Sequence, residues 1–128
     1  MSTDSSIALS PLGHTWILDL DGTLVVHNGH KDDEGDRWLP GALEFLRSIP
    51  EYDLVIFVTS RSEEYRETTL AFLAQEGIRY DHIQFGAPYG ERIVVNDRKP
   101  SGLTTAYAVN LERDGSLDTV SFHIQPDL

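Results

Sequence analysis

Asp19 and Asp21 stand one residue apart in the stretch Asp19-Leu20-Asp21-Gly22-Thr23, directly after the apolar run Trp16-Ile17-Leu18. Like charges held that close repel each other. A chain keeps such a pair when a divalent cation neutralises it, or when one carboxylate is a nucleophile and the other an acid/base. As nucleophile, Asp19 attacks phosphorus and forms an aspartyl-phosphate, which divides one hard displacement into two easier ones. Asp21 follows two residues later, on the same side of an extended chain until Gly22 turns it. From there it can protonate the leaving oxygen and later deprotonate water.

Two further segments carry matching chemistry. The run Leu54 to Val58 ends at Thr59-Ser60-Arg61, and Arg92 to Val95 ends at Asn96-Asp97. Thr59 offers a hydroxyl to a phosphoryl group, and Arg61 can clamp an anion with two parallel hydrogen bonds. Gly22, Thr59, Ser60 and Arg61 are expected to line the substrate side. Asp97 can join Asp19 in an oxygen-only site for Mg²⁺. Simpler readings stand beside these: Asp-Gly as a turn, Thr59 as a helix cap, Arg61 as a surface ion pair. An EF-hand is excluded, because its Gly falls on Leu24 and its Glu on His30. The five histidines are scattered with no pair at ligand spacing, so none is assigned to metal. The acidic cluster Asp32 to Asp36 reads as a solvated loop, with a second metal site there as the lesser alternative.

These residues need elements to hold them. Thr15 to Leu20 reads as a buried parallel strand covered on both faces. Gly41 to Ser48 reads as a helix entered at Pro40 and stopped by Pro50. Leu54 to Val58 is a second strand, followed by a helix capped at Ser60 or Ser62 and stopped by Gly77, near Glu76. Ile83 to Phe85, Arg92 to Val95 and Thr105 to Leu111 read as further strands. Asp114-Gly115 reads as a hairpin turn into Thr119 to Ile124. The expectation is a single α/β domain over residues 1–128: a Rossmann-like parallel sheet, helices on both faces, a C-terminal β-hairpin and no large cap. Ligands on such sheets bind beyond the carboxyl ends of the strands, where Asp19, Thr59 and Asp97 fall.

Composition narrows the partners. A net charge of -11, from 21 acidic and 10 basic residues, repels nucleic acid and anionic membranes. It also repels a free phosphate ester, so a phosphate site needs local positive charge. The absence of cysteine excludes disulfides, thiolate zinc sites and cysteine nucleophiles, and fits a reducing cytoplasm. No apolar run approaches a membrane span, and Met1 to Ser6 lacks the pattern of a secretory signal.

Taken together, Asp19-Leu-Asp21-Gly-Thr23, Thr59 and Asn96-Asp97 resemble the motifs of the haloacid dehalogenase-like hydrolases. The resemblance implies a Rossmann-like core, Mg²⁺ held by Asp19, Asp97 and the backbone carbonyl of Asp21, and hydrolysis of a phosphate monoester. Thr59-Ser-Arg61, Gly77-Ile-Arg-Tyr80-Asp81, Phe85-Gly-Ala87-Pro88 and Val95-Asn-Asp97-Arg98 are similar to small capless phosphatases of capsular polysaccharide biosynthesis, which implies a phosphorylated sugar or similar metabolite as substrate. The lysine of that family's third motif falls at Ala87. Lys99 is its expected substitute, with Arg98, Arg92 and Arg61 as other candidates. Without a substitute, the chain reads as a weakly active or non-catalytic metal- and phosphate-binding protein. A capless site is open, which leaves room for a homo-oligomer to cover it.

Overall fold

The computed structural model describes residues 6–128. The reading of Met1 to Ser6 as free of a secretory signal rests on residues 1–5, which lie outside that range.

The chain is a small α/β protein with two parallel sheets and two helices. Strands β1 (Ser6–Leu9), β2 (Thr15–Leu18), β3 (Leu54–Val58), β4 (His82–Gln84) and β5 (Ser121–Ile124) are joined by helices α1 (Ala42–Ser48) and α2 (Arg66–Gln75). The larger sheet has the order β2-β3-β4, all parallel, with Trp16 opposite Val55 and Leu18 opposite Phe57. Alternation of strand and helix in the sequence predicts this part, because parallel neighbours need a crossover and a helix supplies it.

The helices cover one face rather than two. Val55 and Phe57 on β3 are buried and pack with Leu18, Leu46, Phe72, Leu73 and Ile83 in one apolar cluster. On the opposite face of the strands, Ile17 is 52 % exposed and Leu54 38 %. Strands in unbroken order with right-handed crossovers place both helices on the same side. The expected two-sided cover is thereby corrected.

The C-terminal third departs further. Ile93, Val94 and Val95 form no strand and are 83 %, 55 % and 90 % exposed, and Thr105 to Leu111 is irregular. The expected hairpin is absent. Asp114 does turn the chain, with φ 59°, but β5 pairs in parallel with β1, which the sequence reading did not anticipate. Among the described residues, no helix is long and apolar enough to cross a membrane.

Two helix details also differ from expectation. α1 starts after Gly41, whose φ of +80° suits glycine. The capping box at Ser60 and Glu63 does not form: Glu63 pairs with Arg66, and Ser62 Oγ donates to Glu64. A short 3₁₀ turn, Glu63–Tyr65, leads into α2 instead.

Candidate functional site

The turn after β2 sets the geometry. The Leu20 carbonyl accepts from the N–H groups of Thr23, Leu24 and Val25, at 3.2, 2.9 and 3.1 Å. Gly22 takes φ +81°, and a side-chain carbon there would meet the Arg113 side chain at 3.0 Å. Leu20 and Leu24 are buried, so the apolar residues anchor the turn while Asp19 and Asp21 remain on its polar side.

Asp19 is held at both oxygens. Thr23 Oγ1 donates to Oδ2 at 3.0 Å, and Arg92 Nη1 donates to Oδ1 at 3.0 Å. The Asp19 and Arg92 side chains are each about one-third exposed. Arg92 Nη2 also lies 3.4 Å from Ser60 Oγ, so one guanidinium joins the first motif to the end of β3. The cation at Asp19 is therefore Arg92, one of the alternatives to Lys99. Lys99 itself is exposed and makes no ion pair among the described residues.

Thr59 is buried at the end of β3, and its Oγ1 accepts from the Arg61 N–H at 3.1 Å. The loop carrying Ala87 docks there: the Ala87 N–H donates to the Thr59 carbonyl at 3.0 Å, and the Gly86 N–H to the Arg61 carbonyl at 2.7 Å. Position 87 thus borders the site but brings no charge.

Arg61 does not face an open site. Its side chain is 2 % exposed. Nε and Nη2 donate to the two oxygens of Asp21, each at 3.0 Å. Nη1 and Nη2 donate to Asp36 at 3.0 and 2.7 Å, and Nη1 also reaches Thr69 Oγ1 at 2.8 Å. All five guanidinium N–H groups are used, which leaves none for an anion. Burial works against the charge, yet the hydrogen bonds and field of Asp21 and Asp36 outweigh it and hold the Arg61 pKa above its ordinary value.

Asp36 is the acidic residue that the sequence reading misplaced among solvated ones. Asp32, Asp33 and Glu34 are exposed, but the Asp36 side chain is 5 % exposed. Backbone pairing of Val26 with Arg37 and of Leu39 with Leu24 draws this segment against the turn after β2. The signal was available: Trp38 and Leu39 follow two residues later, and an apolar pair that close pulls its neighbours inward.

His30 completes the group. It lies on a 3₁₀ turn, Gly29–Lys31, with its ring edge-on to Tyr65 at 4.6 Å. Its side chain is 4 % exposed, and neither ring nitrogen has a hydrogen-bond partner. Leaving a buried polar group unpaired costs about 1–3 kcal/mol. Asp21, His30 and Asp36 offer ligand atoms within 4.8 Å of one another, a cluster that could hold a metal ion. No comparable group among the described residues includes Asp19 or Asp97. Asp97 is exposed, and only its backbone carbonyl is engaged, by the Thr105 hydroxyl. The side chains of Asp19 and Asp97 join no such group, and in the expected Mg²⁺ set Asp21 contributes its backbone carbonyl rather than its carboxylate.

Burial, then the Arg61 charge, pushes the His30 pKa below its ordinary value, with Asp21 and Asp36 pulling the other way. A depressed folded-state pKa means that the unfolded chain takes up the proton first as pH falls. In chelator, stability should thus hold above about pH 6.5 and decline as pH drops toward the lower folded-state value. Urea midpoints of the parent should fall between about pH 7.5 and 5.5 more than those of His30→Gln. Parallel curves would show that His30 titrates alike in both states.

Two grooves, of about 670 and 760 Å³, are lined by residues such as Trp16, Phe45 and Phe122, and Ile7, Val109 and Leu111. Neither includes Asp19 or Asp21. Apolar concavity suits drug-like ligands, whereas a charged group is recognised by charges and N–H groups, so the side-chain geometry at Asp19 is the better guide. No family model matches the chain, and no curated protein and no solved structure matches it.

Proposed function

We propose that this chain is a Mg²⁺-dependent phosphatase of the haloacid dehalogenase-like kind, with Asp19 as the nucleophile and a small phosphorylated sugar or similar metabolite as substrate. The observation that carries this reading is the Asp19 carboxylate: partly exposed at the end of β2, with a hydroxyl on one oxygen and a guanidinium on the other. An Asp19 oxygen attacks phosphorus, the phosphorus–ester oxygen bond breaks, and the leaving oxygen takes a proton from Asp21. Water then attacks the aspartyl-phosphate, giving up its proton to Asp21, and free phosphate leaves. Arg61 serves as a positioning residue that fixes the plane of the Asp21 carboxylate rather than as a substrate clamp. Arg92 supplies the positive charge that a phosphate needs in so acidic a chain.

A second reading follows from Ala87, which stands beside Thr59 without the family lysine's charge, and from the acidity of the chain: a protein that binds metal or phosphate without turnover. Phosphate release from p-nitrophenyl phosphate and sugar phosphates, with Mg²⁺ and with EDTA, separates the two. The phosphatase reading expects release that EDTA abolishes. A melting temperature raised by ligand without any release over the same panel favours the binder. Within the phosphatase reading, Arg92→Ala should slow release by about 10²–10³-fold, as loss of one electrostatic stabiliser does. Lys99→Ala should cost less, and the reverse order would return the role to Lys99. A reducing cytoplasm is the compartment this reading assumes.

A further inference from the structure

We propose that Asp21, His30 and Asp36 form a binding site for a first-row divalent transition ion such as Zn²⁺ or Co²⁺, separate from the Asp19 carboxylate. Two carboxylates and one imidazole are a mixed oxygen and nitrogen donor set. Imidazole suits Zn²⁺, Co²⁺ and their neighbours, whereas Mg²⁺ prefers oxygen alone.

Three observations carry the site. The three ligand atoms already lie within 4.8 Å of one another, with His30 Nδ1 3.5 Å from Asp21 Oδ1. The His30 ring is 96 % buried by its 4 % exposure, and neither nitrogen has a partner, so a lone pair aimed into the group goes unused. Each carboxylate has about four acceptor directions, and Arg61 takes two on Asp21 and two on Asp36. Directions for an ion therefore remain on both. Charge agrees: two carboxylates against one guanidinium leave a net negative pair beside a neutral-leaning imidazole. Arg61 then holds the two carboxylates in place, and the short turn Gly29–Lys31 brings the third ligand.

The full chain, stripped of metal by chelator, is titrated with Co²⁺ and competed with Zn²⁺. One equivalent of Co²⁺ should bind and be displaced by Zn²⁺, with Mg²⁺ a poor competitor. His30→Gln should weaken Co²⁺ binding at least about tenfold, while Asp19→Asn binds as the parent does. Loss of phosphatase activity in Asp19→Asn with Co²⁺ uptake intact separates ion binding from the Asp19 chemistry, with Asp21 common to both. Because changes here can disturb the Arg61 cluster, proton NMR of the parent supplies a second test. Co²⁺ should broaden the ring signals that are missing from His30→Gln. No uptake of Co²⁺ or Zn²⁺, equal affinity in His30→Gln, or broadening confined to other histidines would overturn the site. A ring that only donates a long hydrogen bond to Asp21 gives those results.

Discussion

Arg61→Ala is expected to destabilise the fold by about 3–5 kcal/mol, the usual cost of removing one partner from a buried ion pair. The substitution strands Asp36, whose side chain is 5 % exposed, and Asp21, at 17 %, each with two hydrogen bonds lost. Two like charges would then face each other in a partly desolvated space with no cation between them. Set against a typical total stability of roughly 5–15 kcal/mol, this loss is large enough to unfold much of the protein at modest urea. Arg61→Lys should recover only part, because an ammonium has three donors in place of a planar fork of five. Urea unfolding midpoints of the parent and both variants test this. A midpoint for Arg61→Ala close to the parent's would mean that water or other groups already compensate the two carboxylates.

Asp19→Asn is expected to reduce phosphate release by about 10⁴-fold or more, the scale seen when a covalent nucleophile is removed. The amide keeps the size of the carboxylate and can still accept from Thr23, but it cannot attack phosphorus. Stability should hardly change, since an ion pair as exposed as Asp19 with Arg92 is worth about 0–1 kcal/mol. Activity lost with the melting temperature preserved therefore separates chemistry from folding. Release at the parent's rate would move the nucleophile elsewhere.

Much of the frame was legible in the residues. The apolar runs ending at Leu18 and Val58 do form adjacent parallel strands, and the amphipathic stretch after Pro40 does form a helix. These are local signals, set by periodicity and by glycine and proline. The failures are non-local. Ile93-Val94-Val95 has the β-branched composition of a strand, but composition does not provide a neighbouring edge, and the segment lies exposed and unpaired. The pairing of β1 with β5 joins residues more than a hundred positions apart and leaves no local trace. At the site, Asp19, Thr59 and Ser60 were singled out by their positions at strand ends. The assignment of Arg61 to substrate missed its five buried hydrogen bonds, because Asp36 and Thr69 come from a loop and a helix that spacing alone does not bring together. His30 was passed over for the same reason: neither Asp21 nor Asp36 stands at a regular spacing from it, and Asp36 reaches it only through the pairing of residues 24–26 with 37–39.

The central claim is that the Asp19 carboxylate forms a bond to phosphorus. The most direct measurement is acid quenching of the full chain during turnover of a phosphomonoester with Mg²⁺, followed by peptide mapping of the acyl-phosphate. The account predicts the phosphoryl group on Asp19 in the parent and on no residue in Asp19→Asn. A phosphoryl group mapped to a different residue, or steady turnover in which Asp19→Asn releases phosphate as fast as the parent, would contradict it.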